Sequence, residues 1–133
     1  MASFVANPEN LALIRRFVDE IGRGLQADQA AVDDMVQAVD EAAANIIFHG
    51  YAGKPGALEI DITREEASLV VRLRDWTAHF DPTRFPPPDL SIPLEKRHPG
   101  GLGIYLIYQY VDQVKYRAIP QGGNELILVK KAF

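Results

Sequence analysis

The hydrophobic period of this chain changes part-way along, from about 3.6 residues to 2, and that change restricts the fold more than any other feature. Between residues 11 and 49, apolar side chains recur every three or four positions. Leu11, Ile14, Phe17, Val18 and Ile21 form one set, and Val32, Met35, Val36, Val39, Ala43 and Ile46 form another. Each set makes a single stripe on an α-helix. From residue 58 the rule is alternation: Leu58, Ile60 and Ile62 against Glu59, Asp61 and Thr63, then Leu69, Val71 and Leu73 after a turn at residues 64–67. That is the signature of half-buried strands. Striped helices and one-faced strands bury their apolar sides most simply on each other, as two layers.

The remaining elements follow from local signals. Ser3–Ala6 reads as a short strand, and Pro8-Glu9-Asn10 opens the first helix, which Gly22 and Gly24 close. The second helix runs from near Asp28 to about His49, with Gly50 as its stop. Gly100-Gly101-Leu102-Gly103 leads into a third helix through about Val111, and Val114–Ile119 with Leu126–Lys130 make a hairpin around Gln121-Gly122-Gly123-Asn124. The expected fold is α+β: a two-layer sandwich with three helices on one face of a mixed, mainly antiparallel sheet. At 133 residues the chain reads as one domain, 1–133. Six of its nine prolines fall in residues 82–99, an irregular stretch long enough to be a lid or a mobile insert.

Composition removes several classes of function. With no cysteine there is no disulfide, thiolate metal site or cysteine nucleophile, and His49, His79 and His98 lie too far apart to suggest a histidine metal site. The net charge is −4, and residues 1–50 carry three arginines against eight acids. No basic stripe is present, which argues against direct nucleic-acid partners and against an anionic membrane surface. The longest apolar run, Ile104–Tyr108, is five residues, far below the ~20 of a membrane span. The N-terminus lacks the pattern of a secretory leader, so the expected location is the cytoplasm.

Three constellations carry chemistry. On the second helix, Glu41 and Asn45 are i,i+4 neighbours opposite the core stripe, on a side where Ala38, Ala42 and Ala44 leave little bulk. They are either a solvated polar face or a carboxylate and an amide that hold a water or a hydrated cation. Asp75 continues the inward parity of Leu69, Val71 and Leu73, so it is expected to point inward, where a carboxylate needs hydrogen-bond donors or a cation. It either pairs with Arg74 or Arg84, turns to solvent, or accepts from the exocyclic amine of a flat ligand such as adenine. Gly100, Gly101, Leu102 and Gly103 precede a helix whose free N–H groups suit phosphate. No Gly-Lys-Ser/Thr follows, so this is not a P-loop.

Taken in order, these residues resemble one family. Val39–Tyr51 is similar to the N-box of the GHKL ATP-binding superfamily, E-x-x-x-N followed by H-G-Y. Asp75-Trp76-Thr77-Ala78-His79-Phe80-Asp81-Pro82 resembles the D-x-G-x-x-F-D-P box of its anti-sigma factor serine/threonine kinases, and Gly100–Ile107 their G-G-L-G box. Val111–Val114 and Gly122–Leu126 fit their closing elements, and Pro8–Arg15 their first helix.

The resemblance implies ATP and Mg2+ as cofactors and a phosphotransfer to a serine or threonine. It makes Glu41 the general base or water-positioning acid and Asn45 the magnesium ligand. Asp75 would accept from the adenine amine, and Gly100, Gly101, Leu102 and Gly103 would wrap the phosphates under a lid at 82–99. The implied partners are a sigma factor and an anti-sigma-factor antagonist protein, with a homodimer left open. One position departs from the pattern. The family glycine two residues after the aspartate is Thr77 here, which either narrows the pocket or replaces a water with its hydroxyl. A module that sequesters its partner without phosphotransfer is the competing reading. A histidine-kinase catalytic domain is disfavoured because no phospho-accepting helical hairpin precedes residue 8.

Overall fold

The alternating segments pair as a hairpin: β2 (Ala57–Glu65) lies antiparallel to β3 (Ser68–Asp75), with Ile60 opposite Leu73 and Ile62 opposite Val71. The computed structural model describes residues 1–84 and 101–133. β1 (Ala2–Val5) adds to the outer edge of β2, while β5 (Asn124–Lys131) pairs with β3 and β4 (Gln113–Ala118) with β5. The strand order is β1-β2-β3-β5-β4. Every one of these pairings is antiparallel. Helices α1 (Leu11–Gly24), α2 (Gln29–Asn45) and α3 (Gly101–Tyr110) form the second layer. The two-layer α+β sandwich expected from the sequence is the one observed, with a sheet that is antiparallel throughout the described strands. The expected lid, residues 82–99, lies outside the described residues except for a 3-10 turn at Pro82–Arg84.

The core lies between the layers. Leu58, Ile60, Leu69, Val71, Leu73 and Leu128 from the sheet meet Ile14, Val18, Val32, Met35 and Val39 from the helices. α2 is the middle helix, packed against both α1 and α3. Ala38 and Ala42, expected on its open side, are therefore buried, because a helix with two neighbours buries a wider arc than one stripe. Gly22 does not end α1 by turning the chain. It lies within the helix, and its missing side chain lets α1 approach α2, since a Cβ there would sit 2.9 Å from Val32 Cγ2. Gly50 likewise stays inside the helical run. The residue that leaves it in the left-handed region is Ala52, with φ 52°. No helix among the described residues is long and apolar enough to cross a membrane.

The other sheet face is charged. Glu125 is buried there between two arginines, with Arg74 Nε donating to Oε2 at 2.6 Å and Arg117 Nε to Oε1 at 3.2 Å. Burial pushes its carboxyl upward, but the hydrogen bonds from Arg117 and Arg74 outweigh burial and hold it below the usual glutamate range. A depressed folded pKa contributes stability that is present above the unfolded value and lost as pH falls through the folded one. Glu125→Gln should therefore be less stable near neutrality by roughly 1–3 kcal/mol. The gap should close on acidification below about pH 4.5, the unperturbed value. Urea midpoints of both proteins across that range check this. A gap that stays constant with pH would assign the loss to packing rather than charge.

Candidate functional site

The site begins where α2 changes its winding. Asp28 caps the helix, its carboxylate accepting from Ala31 N, and after Asn45 the chain continues as a wider π-helical turn, Ile46–Tyr51. Such turns redirect side chains and recur at functional sites. Tyr51 then ties three segments together: its hydroxyl donates to Ala57 O at 2.6 Å and accepts from Trp76 N at 3.1 Å. The end of α2, the start of β2 and the exit of β3 are thus held at one atom.

These elements, α3 and the β4–β5 hairpin enclose a cavity of about 460 Å³. That is within the usual size of a small-molecule site. Asn45, His49 and Gly50 line one side, Asp75, Thr77 and Asn124 another, and Ile104 and Ile107 of α3 supply an apolar wall. Of the sequence-predicted residues, the fold thus brings Asn45, Asp75 and Thr77 to one cavity. Glu41 stands one helical turn before Asn45 and is not part of the cavity wall. The backbone of Gly101, Leu102 and Gly103 forms the first turn of α3, and Gly100 lies outside the described residues.

Asp75 is 5% exposed at the end of β3, as its parity requires. Neither arginine weighed for it is its partner: Arg74 pairs with Glu125 and Arg84 with Asp81. Its Oδ1 instead accepts from Thr77 N at 3.0 Å, Thr77 Oγ1 at 2.6 Å and Asn124 Nδ2 at 3.0 Å. Thr77 is therefore accommodated without closing the cavity. Its hydroxyl turns to Asp75, and its methyl faces Gly50, where a Cβ would come within 3.2 Å of Cγ2.

Asn124 is the residue that the sequence did not single out. It is 6% exposed and faces Asp75 across the β3–β5 register. Its Oδ1 accepts from Phe80 N and from Tyr116 Oη, and its Nδ2 donates to Ala78 O at 3.1 Å as well as to Asp75. One amide thus joins the last two strands to the loop that leaves β3. Gly123 before it (φ 109°) permits this, because the hairpin there presses against the backbone of Asp75.

Glu41 is half-buried on α2. Burial pushes its carboxyl above the usual range, and the neighbouring charge of Asp40 adds to that. Asp40 is itself held by Arg15 of α1, Nη1 to Oδ1 at 2.8 Å. Among the described residues, neither Glu41 nor Asn45 has a side-chain hydrogen bond. An amide with no partner among the described residues, on a cavity wall, is compatible with a hydrated magnesium ion, which takes few protein oxygens. A raised carboxylate pKa beside it fits proton transfer.

Comparison with known proteins follows the same line. Residues 4–130 match the family model of the histidine kinase-like ATPase domain. The anti-sigma F factor of Clostridium acetobutylicum is 26% identical over 128 residues, covering 96% of this chain and 90% of that protein. The serine-protein kinase RsbW of Bacillus cereus is 29% identical over 114 residues, 83% of this chain and 71% of its own. Among solved structures, the RsbU and RsbW domains of a Mycobacterium tuberculosis protein align over 99% of this chain with a TM-score of 0.62. Identity there is 15% and this chain spans 33% of that longer one, so the likeness is one of fold.

Proposed function

Because this chain belongs to the family of histidine kinase-like ATPase domains, we propose that it is a cytoplasmic anti-sigma factor kinase. It binds a sigma factor, and it uses ATP to phosphorylate a serine or threonine of an anti-sigma-factor antagonist. The observation that carries the reading is the cavity. It has Asp75 at one end and the Asn45 amide on another side, and among the described residues neither the second carboxylate oxygen of Asp75 nor that amide has a side-chain partner.

In this reading Asp75 accepts from the exocyclic amine of adenine and the apolar wall of Ile104 and Ile107 packs on the base. Asn45, with the first turn of α3 and Gly100, holds the phosphate end. Magnesium, bound through Asn45, would neutralise phosphate charge. Glu41 takes the proton of the attacking hydroxyl. As that oxygen bonds to the γ-phosphorus, the bridging bond to ADP breaks, and ADP leaves with the electron pair. Phosphoryl transfer of this kind needs mainly positioning and charge neutralisation.

The test is incubation with γ-labelled ATP and magnesium together with candidate antagonist proteins. Label should appear on a serine or threonine of one of them. Before that, ATP with magnesium at a hundred times its Kd should stabilise the protein by about 2.7 kcal/mol, read as a rise in Tm. Tight antagonist or sigma-factor binding without label transfer would replace the kinase by a sequestering module. No nucleotide-dependent stabilisation at millimolar ATP would remove the nucleotide reading altogether.

A further inference from the structure

We infer that Thr77 and Asn124 set the base selectivity of the cavity by occupying one oxygen of Asp75. The inference rests on the nucleotide reading above and goes beyond it in naming what excludes guanine. A carboxylate oxygen offers about two lone-pair directions. Oδ1 of Asp75 already takes three donors: Thr77 N at 3.0 Å, Thr77 Oγ1 at 2.6 Å and Asn124 Nδ2 at 3.0 Å. It is full. Oδ2 accepts nothing among the described residues, so Asp75 meets a ligand with one oxygen.

The surrounding donors are spent as well. The Thr77 hydroxyl hydrogen goes to Asp75, and its oxygen receives Asn124 Nδ2 at 3.1 Å. The Asn124 amide hydrogens are shared among Asp75 Oδ1, Thr77 Oγ1 and Ala78 O. The amide cannot be turned round, because its oxygen accepts from Phe80 N, a group that only donates. This end of the cavity therefore presents an acceptor and no spare donor.

Adenine carries a single exocyclic amine, which one oxygen satisfies. Guanine carries N1–H and the 2-amine side by side, a pair of parallel donors that matches both oxygens of a free carboxylate, as a guanidinium does. An Asp75 with both oxygens open would accept either base. With Oδ1 occupied, guanine can place only one of its two donors, and its keto oxygen finds none. Selectivity therefore lies in the residues that fill Oδ1 rather than in the carboxylate alone.

Binding of ADP, GDP and IDP to the full chain tests this, by calorimetry with magnesium, for the unaltered protein, Thr77→Val, Asn124→Ser and the double variant. Melting curves confirm that each variant is folded. The unaltered protein should prefer ADP. Each single variant leaves two donors on Oδ1 and should keep the ADP-over-GDP ratio, whereas the double variant leaves only Thr77 N and should narrow it on the order of tenfold, the worth of one such hydrogen bond. Thr77→Ser in place of Thr77→Val, beside Asn124→Ser, keeps the hydroxyl and should restore the ratio. IDP, which lacks the 2-amine, should not share the gain of GDP. An unchanged ratio in the folded double variant would overturn the inference, and so would GDP and IDP gaining together. If that double variant does not fold, Thr77→Val combined with Asn124→Ala decides by the same criterion. Equal ADP and GDP binding by the unaltered protein would overturn this inference alone. Binding of neither would overturn it together with the nucleotide reading.

Discussion

Glu41→Gln is expected to lower phosphotransfer by 10²–10⁴, the usual share of a positioned general base, while nucleotide affinity stays nearly unchanged. Glu41 stands one turn from Asn45 but outside the cavity wall, so in the proposed reading its carboxylate would serve the transferred proton and not the bound nucleotide. Asn45→Ala should behave differently and weaken magnesium-dependent binding and transfer together. The same Glu41 substitution has a second, opposite signature in stability. Burial and the Asp40 charge raise the folded pKa of Glu41, so its ionised form is disfavoured in the native state. That penalty is present above the folded pKa and vanishes as pH falls toward the unfolded value. Glu41→Gln should therefore melt no lower than the unaltered protein at neutral pH, with any advantage fading in acid. Single-turnover assays with labelled ATP, calorimetric affinities and melting curves across pH check the three parts. Unchanged transfer would leave Glu41 a surface residue, and lost ATP binding would assign it to the metal's surroundings.

Gly123→Ala should be the most destabilising single methyl in the β4–β5 hairpin. A Cβ at this position would lie 2.4 Å from the carbonyl oxygen of Asp75 and 3.2 Å from Trp76 Cα, both main-chain atoms with no rotamer to yield. Its φ of 109° adds strain of the kind only glycine avoids. Together these should cost about 3–5 kcal/mol and lower Tm by roughly 10–20 °C. Gly122→Ala is the control. Its φ of 116° is equally unfavourable, but nothing lies within 4 Å of the added methyl. It should lose only the conformational part, about 1–3 kcal/mol. Urea unfolding of both variants separates the two contributions. Equal losses would mean that the strand end gives way freely. Gly123→Ala should also weaken nucleotide binding, since it pushes against Asp75, the residue proposed to meet the base.

Parity and periodicity are strong guides where one face of an element is buried and one is wet. They placed Asp75 on the core side of β3 because Leu69, Val71 and Leu73 set its phase, and Asp75 is buried there. They failed on α2, where Ala38 and Ala42 were put on the open side. Three-residue spacing reports one buried stripe, and it does not report that a second helix covers the flank. Gly50 misled for a related reason. Glycine near a helix end usually marks the stop, but here it makes room for the methyl of Thr77, and Ala52 supplies the left-handed turn. Asn124 was legible only as a hairpin residue. Its role depends on β5 lying beside β3, a long-range pairing that no local window contains. The boxes around Glu41, Asn45 and Asp75 stood out through resemblance, whereas the amide that holds Asp75 did not.

That pairing of β3 with β5 also bears on how the protein comes into being. β5 is the last strand in the chain, yet it sits between β3 and β4, with its Leu126 and Leu128 in the core. On the ribosome, β1, β2 and β3 can pair as they emerge, but β3 then carries an open edge until residues 124–131 arrive. During that interval the nascent sheet is exposed to pairing with other chains. The ligand pocket cannot exist either, because Asn124 has not yet met Asp75. Capture of ligand would then require residues 124–131 to be in place, so a nascent chain ending short of them could not be stabilised by it.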